Sequence, residues 1–267
     1  MASLKPPLPR ALRPKPKGPS EDNGHVERGR KDKLADKGIS TIDWIDERTS
    51  LSGGARWVMF RKIPKGTNWF YTLGSATMFA FLSQAVTGVI LAMYYDPSAT
   101  RAYESMRYLT NEVFLGEFVR GMHKWGSSVM VILVFLHMAR TFFWGAYKYP
   151  RELNWVIGVV LLILTLFMSF TGYLLPFDQR SFWATTVGVA INGTGPLVGP
   201  YLNDFLRAGP EFGTTTLARF YALHMLVLPG AIAAMIGAHL YLVARLGTTA
   251  PPWIRADIDP DLRKDET

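Results

Sequence analysis

Four stretches of this chain carry almost no charge, and each is long enough to cross a lipid bilayer. Asn68 to Tyr95 holds no Asp, Glu, Lys or Arg over 28 residues, Asn154 to Phe177 none over 24, and Phe220 to Ala244 none over 25. Gly121 to Trp144 has Lys124 and Arg140 near its ends and an apolar centre. At 1.5 Å rise per residue, about 20 apolar residues span the hydrocarbon layer. One such stretch also suits a buried core helix. Four of them in 267 residues, with only 19% charged, point to membrane spans. Lipid offers the backbone no hydrogen-bonding partner, so a run of this length crosses it as a helix. The predicted fold is therefore an all-α membrane protein, a four-helix bundle with helices at about 68–95, 121–144, 154–177 and 219–245.

The charge missing from these stretches collects elsewhere. Residues 1–67 hold 15 of the 29 Lys and Arg. Residues 1–40, rich in Pro, Lys and Arg, cannot bury enough apolar surface to fold alone and are expected to form a disordered basic arm. The default reading of such an arm is a solvated tail; its charge also suits anionic lipid headgroups, with nucleic acid the weaker alternative. Residues 41–67 mix apolar and charged side chains from Asp43 to Phe60, the pattern of an interfacial helix leading into the first span. No apolar segment near the N-terminus suggests a signal peptide. With four spans, residues 1–67, the loop 145–153 and the chain from Arg245 onward share one side. That side carries 21 basic residues against 6 in the loops 96–120 and 178–219. The bias predicts both termini in the cytoplasm. The chain has no Cys, which excludes disulfides, thiolate metal sites and a thioether-linked haem on this polypeptide.

Chemistry enters through histidine. Of five His, His25 falls in the arm, and the other four fall inside spans: His123 and His137 in the second, His224 and His239 in the fourth. Ionisable residues in a membrane are costly and mark function by default. The spacings are 14 and 15 residues. At 100° per residue these return the side chain to within about 40° and about 60° of its starting direction. Each helix thus carries two His on roughly one face, about 21–23 Å apart along its axis. The second and fourth spans run in the same direction, so His123 pairs with His224 near the outer end and His137 with His239 near the inner end. Zinc would want four ligands, usually with Cys or carboxylate help. Two facing imidazoles suit the axial positions of a haem iron, and two such levels would form a transmembrane electron wire. The competing reading is a set of interhelical hydrogen bonds.

The other two spans repeat the same period without His. Gly74 and Gly88, and Gly158 and Gly172, are each 14 apart. Glycine lets another group approach the backbone, so these positions are expected to pack against two porphyrins; small-residue helix packing is the alternative. Arg120 lies three residues before His123 and Arg140 three after His137. Each is expected to meet an anionic haem propionate, or else to snorkel at its helix end.

Several stretches together resemble the cytochrome b/b6 family. They are Phe70-Tyr-Thr-Leu-Gly, Gln84-Ala-Val-Thr-Gly-Val, Met122-His-Lys-Trp, Pro150-Arg-Glu-Leu-Asn-Trp-Val-Ile-Gly-Val-Val, Thr171-Gly-Tyr-Leu-Leu-Pro-Phe-Asp-Gln and Ala218-Arg-Phe-Tyr-Ala-Leu-His. They cover roughly residues 40–247, and the 15-residue second His spacing resembles the split b6 type. The resemblance implies the cytochrome b subunit of a bacterial quinol–cytochrome c oxidoreductase in the plasma membrane. His123 and His224 would hold the outer, low-potential haem iron, and His137 and His239 the inner, high-potential one. Both would be non-covalent b-type haems. Quinol would be oxidised at an outer pocket lined by Phe170, Tyr173, Trp183 and Val187, and quinone reduced at an inner site beside Ser75, with protons moved across the membrane. The implied partners are a C-terminal cytochrome b half carrying Pro-Glu-Trp-Tyr, a Rieske iron–sulfur protein and a c-type cytochrome, in a dimeric complex embedded in lipid.

This chain departs from the family in several places. Thr72 stands where photosynthetic b6 proteins carry a haem-linking Cys, Pro176-Phe177 stands where Pro-Trp is usual, the Pro-Glu-Trp-Tyr motif is not in this sequence, and Arg245 lies six residues after His239 where b6 proteins carry an arginine one place nearer. The alternative function is a di-haem membrane anchor of another quinone-linked oxidoreductase. Such an anchor has no use for the Thr171-Gly-Tyr-Leu-Leu-Pro stretch and the long loop that follows it.

Overall fold

The computed structural model describes residues 41, 43–49, 63–64 and 66–252. The basic arm expected over 1–40, most of the interfacial segment and the end of the tail lie outside the described residues. Two compact units are separated at Arg61. In the first, residues 43–49 are helical. There the Arg48 guanidinium sits 4.0 Å from the centre of the Trp44 ring and donates to the Trp44 carbonyl at 2.9 Å.

The second unit is helical in all its described elements. A 3-10 turn, Trp69–Thr72, opens it, with the Asn68 side chain accepting from the Phe70 N–H. It runs into α1 (Leu73–Ala92). Then follow α2 (Ala102–Asn111), α3 (Gly116–Phe143), α4 (Glu152–Leu174), α5 (Gln179–Gly193), α6 (Gly199–Arg207) and α7 (Thr214–Ala222). A π-helical turn, Leu223–Val227, joins α7 to α8 (Leu228–Leu246), giving one continuous helix of 33 residues. Among the described residues four helices are long and apolar enough to span a membrane: Trp69–Ala92, Gly116–Phe143, Glu152–Leu174 and Thr214–Leu246. Only 11–17% of the most apolar window of each is buried inside the chain. Apolar side chains pointing outward along whole spans are what a lipid-facing surface requires. With its family membership shown below, the chain is an integral membrane protein.

The spans pair two by two. α1 lies along α3, and α8 along α4. The two histidine helices, α3 and α8, hardly touch each other. The gap between them is bridged from one side by the looser contact of α3 with α4.

Water-driven burial acts mainly at one end. Ala102, Leu174, Val189, Leu206, Leu217 and Phe220 form a cluster in which none is more than 1% exposed. It draws on α2, the end of α4, and α5, α6 and α7. Within the spans, packing and hydrogen bonds must do the work, because lipid is as apolar as the side chains. Local chemistry sets the short elements. Gly116 starts α3 pressed on the Leu109 carbonyl, where a Cβ would overlap the backbone. Asp178 caps α5, its carboxylate accepting from the Ser181 N–H at 2.8 Å. Tyr95, just past α1, donates to the Leu175 carbonyl at 2.6 Å and ties the ends of α1 and α4 together. Burial pushes that phenol well above its ordinary pKa, aided by neighbouring Tyr221 and Asp96, so it stays a donor. At the opposite end Arg151 of the α3–α4 loop donates to the Leu246 and Gly247 carbonyls, closing the C-terminus of α8.

Two boundaries differ from expectation. The second span begins at Gly116 and the fourth at Thr214, each five residues earlier than the apolar pattern suggests. The added turn of the second span carries Glu117 and Arg120, and that of the fourth is Thr-rich, with Thr216 buried and Leu217 part of the buried cluster beside the spans. Hydropathy marks where lipid ends, whereas the helix runs on until a cap or a glycine stops it.

Candidate haem site

The pairing of helices turns each histidine towards a glycine. A Cβ built on Gly88 would lie 3.2 Å from His123 Cε1, and one on Gly74 3.2 Å from His137 Cε1. On the other pair, a Cβ on Gly172 would lie 2.5 Å from His224 Cε1 and one on Gly158 3.9 Å from His239 Cε1. At Gly74, Gly88 and Gly172 an imidazole edge is the nearest side chain, and at Gly158 Met138 Sδ, at 3.7 Å, is nearer still. A bulkier residue on α1 or α4 would push the ring out across the gap.

Across that gap His123 faces His224, and His137 faces His239. Ring centres are 6.3 Å apart in both pairs, with the planes crossed at 76° and 79°. A metal bonded to one nitrogen of each ring at about 2 Å, with about 1 Å more from each nitrogen to its ring centre, needs centres about 6 Å apart. The observed spacing fits a single bridging ion and is too wide for a ring–ring hydrogen bond. Among the described residues no group of three or more His, Cys, Asp or Glu could hold a metal. A site with two protein ligands suits an ion that brings its remaining ligands in a plane of its own, as haem does. A cleft lined by Phe81, Gln84, Gly88, Ser127, Met168 and Ile232 runs past both rings of the first pair.

In the first pair the second nitrogen of each ring fixes which one faces the gap. His224 Nδ1 lies 3.1 Å from the Met168 carbonyl, which can only accept, so Nδ1 carries the proton and Nε2 is free. Thr171 Oγ1 lies 3.3 Å from the same nitrogen. His123 Nδ1 lies 2.9 Å from Thr87 Oγ1, whose own hydrogen goes to the Ser83 carbonyl at 2.7 Å. Sequence reasoning missed Thr87 and Thr171. Their signal was present: Thr stands immediately before Gly88 and Gly172, and not before Gly74 or Gly158.

Beside the second pair, Arg140 is 9% exposed and two of its nitrogens, Nε and one Nη, are buried without a partner. Its guanidinium stacks on Tyr71 at 3.8 Å, and Tyr71 donates to the Thr249 carbonyl at 3.0 Å. A buried cation with unused donors needs an anion, and a carboxylate of the bound group fits that need. Arg120 instead donates to Thr110 Oγ1 at 2.7 Å, on the α2 side of the first pair.

The residues expected around quinone are dispersed. Phe170 turns inward, 5.8 Å from Phe220 and tight against Gly188. Tyr173, Trp183 and Val187 are exposed, with Trp183 donating to Gln179 at 2.9 Å. Trp183 lines an open cavity with Phe182, Asn203, Arg207, Glu211 and Phe212, which the other three do not reach. Ser75 is exposed on α1, donating to the Thr72 carbonyl at 2.8 Å. Phe177 packs edge-on against Phe182 at 5.8 Å.

These features define a class: a membrane-embedded helical bundle with two crossed bis-imidazole levels. The profile of the Cytochrome b/b6/petB family matches residues 58–247. The chain is 41% identical over 217 residues to the menaquinol:cytochrome c reductase cytochrome b subunit of Geobacillus thermodenitrificans, covering 78% of this chain and 97% of that protein. It is 41% identical over 212 residues to cytochrome b6 of Heliobacterium modesticaldum, covering 79% of this chain and all of that one. A chain of a hyperthermophilic respiratory complex III superposes with a TM-score of 0.74 at 31% identity, over 82% of this chain and 59% of that longer one. The protein belongs to the cytochrome b/b6 family.

Proposed function

We propose that this chain is the cytochrome b subunit of a quinol:cytochrome c oxidoreductase and holds two non-covalent b-type haems. The observation that carries this reading is the pair of crossed imidazoles at 6.3 Å, repeated at two levels of one bundle. Each haem, when bound, accepts and gives up one electron at a time. His123 and His224 would hold one iron, and His137 and His239 the other. The glycines let each ring lie close against its neighbouring helix, and the Nδ1 partners of the first pair keep the ring plane fixed. Arg140 offsets the charge of a propionate beside the second pair. The levels lie about 21 Å apart along α3, enough to carry charge across most of a hydrocarbon layer about 30 Å thick.

The excess of basic residues on one side supports a bacterial plasma-membrane protein with both termini in the cytoplasm. The first pair is then the outer, low-potential level, and the second the inner one. Quinol is oxidised outside, near Tyr173, Trp183 and Val187, and quinone reduced inside, near Ser75, with protons released outside and taken up inside. The exposure of those three outer residues supports a pocket completed by other chains: a second cytochrome b half with Pro-Glu-Trp-Tyr, and a Rieske protein as first acceptor. A c-type cytochrome, a dimeric assembly and surrounding lipid complete the proposed complex. The absence of Cys leaves no route to a covalent haem on this chain, including at Thr72.

The test is a pyridine haemochrome assay on the purified complex with its subunits separated. This chain should yield two b haems, both extractable by acid acetone. A count of one, or a haem that stays bound to this polypeptide after extraction, would overturn the proposal.

A further inference from the structure

A four-residue device recurs along the two glycine helices, complete at one level and incomplete at the other. On α1 it is the Gln84 carbonyl, Thr87 and Gly88, facing His123. On α4 it is the Met168 carbonyl, Thr171 and Gly172, facing His224. Fourteen residues earlier on each helix the carbonyl and the glycine recur, but the hydroxyl position is Leu73 or Ile157. The consequence is visible at His239. Its buried Nδ1 has no hydroxyl partner, with only the Asn154 carbonyl on that side.

We infer that Thr87 and Thr171 are positioning residues that raise the donor strength of His123 and His224, making the first-pair haem the harder of the two to reduce. The inference rests on the two-haem function proposed above. Thr87 donates to the Ser83 carbonyl at 2.7 Å and Thr171 to the Met168 carbonyl at 3.0 Å. With their hydrogens committed, both oxygens present lone pairs to the Nδ1–H groups. Both threonines are buried, at 6% and 0% exposed, so these bonds act in a low local dielectric. An acceptor on Nδ1–H moves electron density towards Nε2 and makes it a stronger ligand. A stronger donor favours the ferric over the ferrous state, which lowers the potential. At the second pair His239 lacks that help, and the Arg140 cation nearby favours added negative charge. The same bundle then sets an energetic step from the first level down to the second.

The test is a potentiometric titration of both haems in the intact complex, with haem counted in every preparation. Thr87→Val and Thr171→Val keep shape and remove the hydroxyl acceptor while the backbone carbonyls stay in place. Each should raise the first haem's midpoint, by up to a tenfold change in its reduction equilibrium, which is ~59 mV for one electron. The second haem should not move. Thr87→Ser and Thr171→Ser should restore the original value. The reciprocal variant Ile157→Thr installs the missing hydroxyl opposite His239 and should lower the second haem's midpoint alone. Should the valine variants lose the first haem, Ile157→Thr decides the matter. Two haems in place with unmoved midpoints, or a second midpoint that stays or rises in Ile157→Thr, would overturn the inference. A haem count other than two in the unaltered complex would sink the two-haem function instead.

Discussion

The two histidine levels share one geometry and differ in how tightly it is enforced. Both pairs have ring centres 6.3 Å apart and planes crossed by nearly the same angle. Around the first pair, hydroxyls, carbonyls and glycines leave each imidazole little room. Around the second, His239 Nδ1 has no hydroxyl partner, and a Cβ at position 158 would still lie 3.9 Å from its ring. In place of hydrogen bonds the second level has Arg140, a cation stacked on Tyr71 whose phenol holds the backbone at Thr249. One level is governed through its ligands, the other through charge at its edge. The same metal geometry can therefore be held by two different sets of interactions, and each set invites its own perturbation.

The largest effect should come from removing a ligand. His123→Leu and His137→Leu each leave one ring facing an apolar side chain, and each should lose one haem per chain. They should fail differently. Without the second pair, electrons should reach the first haem and stop, so it becomes reduced by quinol and stays so. Without the first pair, quinol should reduce neither level through the outer side. Rapid-mixing spectra of the two variants separate these outcomes, and normal quinol turnover in both assembled variants would end the electron-wire account.

A graded test comes from the glycines. Ala at 172 would bring a methyl within 2.5 Å of His224 Cε1, at 88 and 74 within 3.2 Å of a ring, and at 158 only to 3.9 Å of His239. Overpacking a tight site costs about 1–3 kcal/mol, while Gly→Ala inside a helix gains about 1 kcal/mol. Gly172→Ala should therefore displace His224 and lower occupancy of the first haem. Gly88→Ala and Gly74→Ala should do so mildly, and Gly158→Ala should keep both haems and raise the melting temperature slightly. Haem-to-protein ratios across the four variants check the order. Equal losses at 172 and 158 would mean that the porphyrin, and not the imidazole, fills these notches.

That distinction marks where the sequence stops speaking. Four spans were legible because charge is excluded from lipid, and a gap in charge survives any detail of packing. Two histidine faces were legible because a 14-residue spacing nearly closes a whole number of helical turns. What occupies the glycine notches was not legible, since it depends on which helices pair, and period alone gives α1 and α4 no partner. The threonines left a trace in the Thr-Gly dipeptides, but a hydroxyl on an apolar helix commonly bonds its own backbone, as Thr165 does with Leu161. Phe170 could be placed near the proposed outer pocket by resemblance, yet its inward turn against Phe220 and Gly188 is a matter of packing between distant segments.

The smallest expected effect concerns the unequal spacing itself. His123 and His137 are 14 residues apart in an unbroken helix, whereas His224 and His239 are 15 apart and would sit about 60° out of line in a regular one. The π turn Leu223–Val227 removes the difference. Its bonds reach one residue further, so one position is absorbed and 15 steps act as 14. The turn also seats Pro229, whose ring in a regular helix would clash with the carbonyl four residues back, that of Met225. Deleting Leu226 together with Pro229→Ala should thus convert the segment to plain α-helix and leave both rings in place. Two haems per chain with unchanged optical spectra is the expected result. Deleting Leu226 alone puts the His224 carbonyl under the proline ring, at a cost of roughly 3 kcal/mol, and should selectively weaken the first level. If the double variant loses its first haem while keeping the second, the π turn must shape His224 itself, beyond correcting its register.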